Sequence, residues 1–147
     1  MKTKTELIRN WIDKAEKDLL TAEHESTFED GVIENICFHS QQAVEKYIKA
    51  YLIYLDIPFT KTHEIGELIT KCEEKDPQIK EYKEEADLLT DYAVEVRYPD
   101  ELFEISLDDS KYAIELAKKI KNYVLDKIKI DELDKDNNKK SELNTQL

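Results

Sequence analysis

The sequence contains very few of the residues that turn a chain. Among its 147 residues there are only two glycines and three prolines. A strand-rich fold needs a turn about every 8 to 12 residues, and turns draw heavily on glycine and proline. The shortage therefore predicts an all-α fold, in which a few long helices are joined by few loops. At this length we expect a single domain that can bury a sizeable core without disulfides.

Apolar residues recur at helical spacing in four long segments, about 5–25, 32–55, 77–98 and 106–128, and in a short one at 63–72. Thr62, Asp76 and Ser106 are the predicted N-caps of the last three helices, and Pro77 would occupy the first position of the fourth. Residues 131–147 lose the pattern and are predicted to be a polar, disordered tail. The expected architecture is one bundle of four long helices and one short helix over residues 1–130.

The charge of the chain restricts its partners. The formal net charge is −12 at pH 7, which argues against indiscriminate binding to phosphate backbones because such binding needs a basic face. A local basic groove stays open as an alternative. No apolar run is long enough to span a bilayer, and the charged N-terminus is unlike a signal peptide. Cys37 and Cys72 form no CxxC pair, so reduced thiols and a cytoplasmic location are expected.

Several common chemistries are excluded by inspection. Two glycines cannot build a phosphate-binding P-loop or a dinucleotide-binding loop. No carboxylate stands three residues before His24, His39 or His63, so the Glu-x-x-His pairs of a di-metal bundle are missing. We therefore expect no metal and no cofactor. A Ser/His/Asp triad is not suggested either, although such a triad is recognised only in space.

A row of polar side chains follows the second predicted helix. At about 100° per residue, Gln42, Lys46 and Lys49 fall within about 80° of His39, on the side away from the apolar stripe. A solvated helix face is the simpler interpretation. Phe38 also lies outside the stripe, and an exposed aromatic suggests a surface covered by another helix or subunit. His39, Gln42 and Lys46 are therefore candidate ligand-binding residues, with a structural hydrogen bond as the alternative for His39.

The second candidate is the tetrapeptide Arg97-Tyr98-Pro99-Asp100, where the fourth predicted helix ends. Arg97 is one of only two arginines, which hints at a need for the planar guanidinium. Since a cation at a helix C-terminus is favoured by the dipole and Asp100 stands close by in sequence, a local ion pair is one interpretation. The other is a clamp for phosphate or carboxylate, which makes Arg97, Tyr98 and Asp100 candidate ligand-binding residues.

Together these residues resemble a known family. The segment FHSQQAVEKYIKAYL at 38–52 resembles the second-helix signature of HEPN domain proteins. Further matching positions are Trp11, Ala15, Asp18-Leu19, Thr62-His63, Tyr92 and the tetrapeptide at 97–100. The resemblance covers about residues 5–128. The HxQQxxEK string combined with RYPD is fairly specific, whereas either string alone would be weak.

The resemblance implies an up-and-down helical bundle that is usually a homodimer and is often encoded beside a minimal nucleotidyltransferase in prokaryotes. Many members of the superfamily are metal-independent ribonucleases and toxins, with an arginine followed four to six residues later by a histidine. No histidine stands at that spacing after Arg9 or Arg97. We therefore expect a non-catalytic nucleotide- or RNA-binding and protein-interaction module that works with a nucleotidyltransferase partner. A toxin–antitoxin context is one option that the resemblance implies.

Two alternatives to this function stay open. One is an unorthodox ribonuclease that uses Arg97 together with His39, because a histidine can move a proton near neutral pH. The other is a purely structural dimer scaffold, in which none of the candidate residues contacts a ligand.

Overall fold

Helices form wherever the sequence places apolar residues at helical spacing. The computed structural model describes residues 1–97 and 105–129, with side chains for 1–91 and 105–129. Every regular element in these ranges is helical: α1 (Lys4–Ser26), α2 (Ile33–Tyr54), α3 (Ile65–Cys72), a 3-10 helix (Pro77–Tyr82), α4 (Lys83–Arg97) and α5 (Leu107–Ile128). The all-α prediction, with four long helices and one short one, is confirmed over the described part of the chain.

α2 is the central helix and packs against α1, α3, α4 and α5. Thirteen of its 22 residues are buried, so it is surrounded on most sides. α1 lies antiparallel to it, since Asp18 in the middle of α1 contacts Lys46, and Lys4 at its start reaches Asp56 just beyond α2. The bundle is therefore built around one central, buried helix, and its long helices are not equally buried.

α5 runs in the same direction as α2, as an up-and-down order requires. Tyr51 and Tyr123, towards the ends of the two helices, meet edge to face with ring centroids 6.3 Å apart. Near the two starts, the charge of Asp109 acts on the thiol of Cys37. The two helices are thus in contact along their length.

The predicted apolar stripes form the core. In α1 the stripe residues are buried, namely Ile8, Ile12, Ala15, Leu19 and Ala22. The largest fully buried side chains elsewhere include Ile36, Tyr47, Ile48, Leu52, Leu68, Leu89, Leu116 and Ile120. Trp11 is only partly buried and packs against the edge of this core.

The structure confirms one of the two N-caps considered first and contradicts the other. Ser106 forms the expected capping box: its hydroxyl accepts from the backbone N–H of Asp109 at 3.1 Å, and the Asp109 carboxylate accepts from its backbone N–H at 2.9 Å. Thr62 does not cap α3, which begins at Ile65; its hydroxyl accepts from the backbone N–H of Glu64 in a short turn. The competing local bond explains why the helix starts later than predicted.

Asp76 and Pro77 open a helical segment as expected, but the segment is a 3-10 helix and α4 begins only at Lys83. The carboxylate of Asp76 accepts hydrogen bonds from the hydroxyls of Tyr51 at 2.7 Å and Tyr123 at 2.5 Å. Buried tyrosine hydroxyls usually find such a partner. Asp76 therefore joins α2 and α5 to the segment before α4, a role that its position in the sequence did not reveal.

Other predictions concern parts that the structure does not describe. The predicted tail at 131–147 lies outside the described residues, and so do Tyr98 and Asp100. Within the described ranges, no helix combines the length and apolar character that crossing a bilayer requires.

Hydrogen bonding keeps Asp76 ionised despite its burial. Burial acts to raise the pKa of Asp76, but the hydroxyls of Tyr123 and Tyr51 and the charge of Lys127 stabilise the carboxylate, and the net effect lowers its pKa. In return, burial and the bond to Asp76 raise the pKa of both tyrosines. The three groups thus form a charge-assisted contact at neutral pH.

We predict that Asp76→Asn lowers the free energy of unfolding by about 2 kcal/mol at pH 7, the usual scale for hydrogen bonds to a charged group. A carboxyl whose pKa is lowered by folding stabilises the fold above its unfolded pKa of about 3.9, and this contribution disappears as the pH falls through the folded value. Urea unfolding of both proteins from pH 7 to pH 3 should therefore show a difference that shrinks with acid.

The exposed Asp126→Asn is the matched control and should change stability by no more than about 0.5 kcal/mol. An equal difference between wild type and Asp76→Asn at every pH would contradict the proposed charge-assisted contact.

Candidate ligand-binding site

The candidate site lies where the middle of α1 faces α2. Asp18 projects from α1, and its carboxylate contacts two of the predicted residues on α2. Oδ1 of Asp18 is 3.0 Å from Nδ1 of His39, and Oδ2 pairs with the ammonium of Lys46. His39 and Lys46 are seven residues apart, so they lie on the same side of the helix two turns apart. We call Asp18, His39 and Lys46 the Asp18 cluster.

The Asp18 cluster is half-buried yet open to solvent. The exposed fractions of the side chains are 15% for Asp18, 30% for His39 and 23% for Lys46. Gln42 is also half-buried and lies between His39 and Lys46 along the same helix. The structure thus confirms that His39 and Lys46 belong to one polar surface, but it places that surface against α1 rather than in open solvent.

The contact with Asp18 orients the imidazole of His39. Because Nδ1 faces a carboxylate, a neutral ring carries its proton on Nδ1 and keeps the lone pair on Nε2. Phe38, which was expected to be exposed, is half-buried, and its ring meets that of His39 edge to face at 5.4 Å. Nε2 is therefore the nitrogen of His39 that can accept or donate a hydrogen bond to a ligand.

The charges of the cluster nearly cancel. Asp18 neutralises Lys46, so the cluster is neutral with an uncharged imidazole and carries +1 with an imidazolium. This local balance contrasts with the net charge of −12 on the whole chain. A phosphate would meet little repulsion here and gain an attraction when His39 is protonated.

A second polar group on α2 was missed by the sequence analysis. Gln41 and Glu45 are both only 3% exposed. Glu45 accepts from Nδ1 of His63 at 2.8 Å and pairs with Lys49 at 3.4 Å, while the amide of Gln41 donates to the backbone carbonyl of His63 at 3.4 Å. His63 therefore attaches the loop before α3 to the central helix.

Lys49 was placed on the solvent side of α2, and that prediction is wrong. Its side chain is 8% exposed, because α1 and the loop after α2 cover it. The ammonium lies 5.3 Å from the centroid of the Trp11 ring and 6.0 Å from that of Phe59. Aromatic faces and Glu45 together stabilise the buried charge. Lys49 is thus part of the fold rather than of the candidate site.

The second predicted group of ligand-binding residues is only partly described. Arg97 is the last residue of α4, but its side chain is not among those described, and Tyr98 and Asp100 lie outside the described residues. Their role in ligand binding stays a prediction.

Other reactive groups do not form a site in the described ranges. Burial raises the pKa of both Cys37 and Cys72 to about 12, with a smaller effect of neighbouring carboxylates. Both thiols are therefore protonated at neutral pH and are poor nucleophiles. Among residues 1–97 and 105–129, no group of three or more His, Cys, Asp or Glu side chains is arranged to hold a metal ion.

Comparison with known proteins agrees with the geometry. The family model for the HEPN domain matches residues 8–129. The crystal structure of an archaeal HEPN homologue is similar to this fold with a TM-score of 0.67 and 30% sequence identity, and the match covers 87% of this chain and 99% of that one. No curated protein matched the chain.

We predict that Lys46→Met lowers the free energy of unfolding by about 1–2 kcal/mol, because it leaves the half-buried Asp18 carboxylate with His39 as its one remaining partner in the cluster. Lys118→Met is the matched control, since Lys118 pairs with Glu23 at 3.7 Å and both are more than a third exposed. The control should change stability by at most about 0.5 kcal/mol.

Chemical denaturation of both variants measures the difference. Equal effects of the two substitutions would mean that the Asp18 cluster does not hold α1 against α2 more strongly than a surface ion pair does.

Proposed function

The chain belongs to the HEPN domain family, and from that premise we propose that it is a non-catalytic module that binds a nucleotide or an RNA end. It works as a homodimer with a nucleotidyltransferase partner. The observation that carries this proposal is the Asp18 cluster, in which a half-exposed histidine is oriented with one nitrogen free for a ligand.

The chemistry of the cluster suits a small ligand that contains a nucleobase and few phosphate groups. The amide of Gln42 carries both donors and acceptors, which can pair with the edge of a base. The imidazole of His39 offers a ring face for stacking and Nε2 for a hydrogen bond. The acidic chain would repel a long phosphate backbone. A mononucleotide or the end of an RNA strand therefore fits better than an extended nucleic acid.

The family supplies the reason for the partner and for the oligomer. The proteins that this chain resembles are usually dimeric and are often encoded in prokaryotes beside a minimal nucleotidyltransferase, sometimes as a toxin–antitoxin pair. The missing Arg-to-His spacing supports a module that works through its partner rather than by cleaving RNA. A cytoplasmic location fits this role, because the nucleotides that such a partner uses are found there.

We predict that the purified chain binds a nucleotide with a measurable heat in calorimetric titrations of AMP, ATP and GTP. His39→Ala should weaken binding about tenfold, or about 1.4 kcal/mol. His24→Ala, which removes an exposed histidine from the last turn of α1, is the control and should bind as wild type does.

The partner is tested by co-expression with the product of the neighbouring gene and purification through a tag on one of the two. No heat with any of the nucleotides, together with no co-purified partner, would rule out the proposal.

One observation favours a second candidate, a ribonuclease. A carboxylate on Nδ1 of a histidine is the arrangement that prepares Nε2 to act as a general base. His39 with Asp18 has this arrangement at 3.0 Å. In such an enzyme Nε2 would take the proton of the 2′-hydroxyl, and the 2′-oxygen would attack the adjacent phosphorus. The bond from phosphorus to the 5′-oxygen of the next nucleotide would break, water would give the departing oxygen its proton, and Arg97 would stabilise the charge that develops on the phosphate.

We expect no cleavage when the pure protein is incubated with single-stranded RNA and the products are separated on a gel. Cleavage that disappears in both His39→Ala and Arg97→Ala, persists in His24→Ala and slows in Asp18→Asn would replace the binding module by the ribonuclease. Cleavage that survives all these substitutions would indicate a contaminating nuclease.

A further inference from the structure

One end of the bundle exposes large apolar side chains. The exposed fractions are 61% for Phe28 and 45% for Val32, both in the connection between α1 and α2, and 52% for Leu107 at the start of α5. Single exposed apolar residues are common, but three at one end of a small domain call for an explanation. We call residues 27–36 and 105–110 the acidic end, for the reason given below.

The two segments of the acidic end are neighbours in space. α2 and α5 run in the same direction, so their first turns lie at the same end of the bundle. The two helices also pack directly against each other.

Every charged residue in these two segments is acidic. They contain Glu29, Asp30, Glu34, Asp108 and Asp109, and no lysine, arginine or histidine. Acids in the first turn of a helix stabilise it through the dipole, which accounts for some of these residues. The dipole does not account for the exposed apolar residues among them. The combination indicates a surface for binding rather than a requirement of the helices.

We infer that the acidic end is a docking surface for a basic segment of another protein that carries apolar side chains. Lysines or arginines of that segment would pair with the carboxylates, and its apolar side chains would cover Phe28 and Leu107. The complementarity of charge identifies the occupant, because an acidic surface repels nucleic acids and anionic membranes. A second copy is disfavoured too, since a symmetric contact would bring the five acids of each copy together.

This surface borders the Asp18 cluster but shares no residue with it. Asp18 lies two turns before the last residue of α1, and His39 follows the first segment of the acidic end by three residues on α2. A failure to bind nucleotides would therefore not contradict this inference, and a failure to bind a basic segment would not contradict the proposed function.

The test uses a fluorescent synthetic peptide of about 14 residues with lysines on one face of a helix and leucines on the other, the pattern of a basic amphipathic segment. The peptide is titrated against the full chain by anisotropy. Phe28→Ser with Leu107→Ser should raise its dissociation constant about fivefold or more. Leu20→Ser, which removes an apolar residue that is 50% exposed on α1, is the control and should have no effect.

A second pair of variants tests the charges. Asp30→Asn with Glu34→Gln removes two charges from the acidic end and should weaken binding by a similar factor. Asp126→Asn with Glu84→Gln removes the same two charges elsewhere, and Glu84, like Glu34, lies in the first turn of its helix. This control should leave the dissociation constant unchanged. Thermal unfolding of all variants checks that each one is folded.

Three results would overturn the inference. The first is no binding of the peptide to wild type. The second is that the substitutions at the acidic end and their control substitutions weaken peptide binding equally. Equal weakening by the two charge variants would mean that the peptide responds only to the total charge of the chain. The third is a dimer in sedimentation velocity that Phe28→Ser with Leu107→Ser converts to a monomer, which would make the acidic end the contact between two copies.

Discussion

α2 is surrounded on most sides by other parts of the chain, and the charged side chains that it buries need partners within the fold. Glu45 and Lys49 are almost fully buried, and an unpaired charge at such a position would cost several kcal/mol. The fold meets this requirement from two sides. α1 contributes Asp18 to His39 and Lys46, and the loop before α3 contributes His63 to Glu45. The positions of α1 and of this loop are thus tied to the polar residues of the central helix.

The periodicity of apolar residues was enough to predict the helices, because a stripe at helical spacing buries itself in almost any bundle. The polar row on α2 was harder to interpret. A helical wheel assumes that the side away from the apolar stripe faces water, and this assumption fails for a helix that is surrounded on most sides. Lys49 is the clearest case, since the wheel grouped it with His39 and the structure buries it beside Trp11. A helical wheel shows which residues share one side of a helix, but it does not show which other part of the chain packs against that side.

The partners of the candidate residues could not be predicted, since they come from distant parts of the sequence. Asp18 meets His39 across 21 residues, and Asp76 meets Tyr123 across 47. Which carboxylate contacts which donor depends on the register of two packed helices, that is, on their relative position along the helix axis. Many registers bury the same apolar stripes, so the stripes alone do not determine the polar contacts. One signal was present: Asp18 belonged to the family resemblance although it has no place in the apolar stripe. A polar residue of that kind, on a face that packs against a neighbour, is a good indicator of a buried contact.

The salt bridge between Asp18 and Lys46 limits what the site can bind. A phosphate that approached Lys46 would have to compete with a carboxylate already in contact with it, so Lys46 adds less to affinity than an unpaired lysine would. In the proposed site, His39 and Gln42 would then distinguish one ligand from another, mainly through hydrogen bonds and stacking. Such a site would bind weakly unless a second surface contributed, and the proposed dimer or partner protein could supply that surface. Because Lys46 is already paired within the fold, the proposed module has a physical reason to act together with other chains.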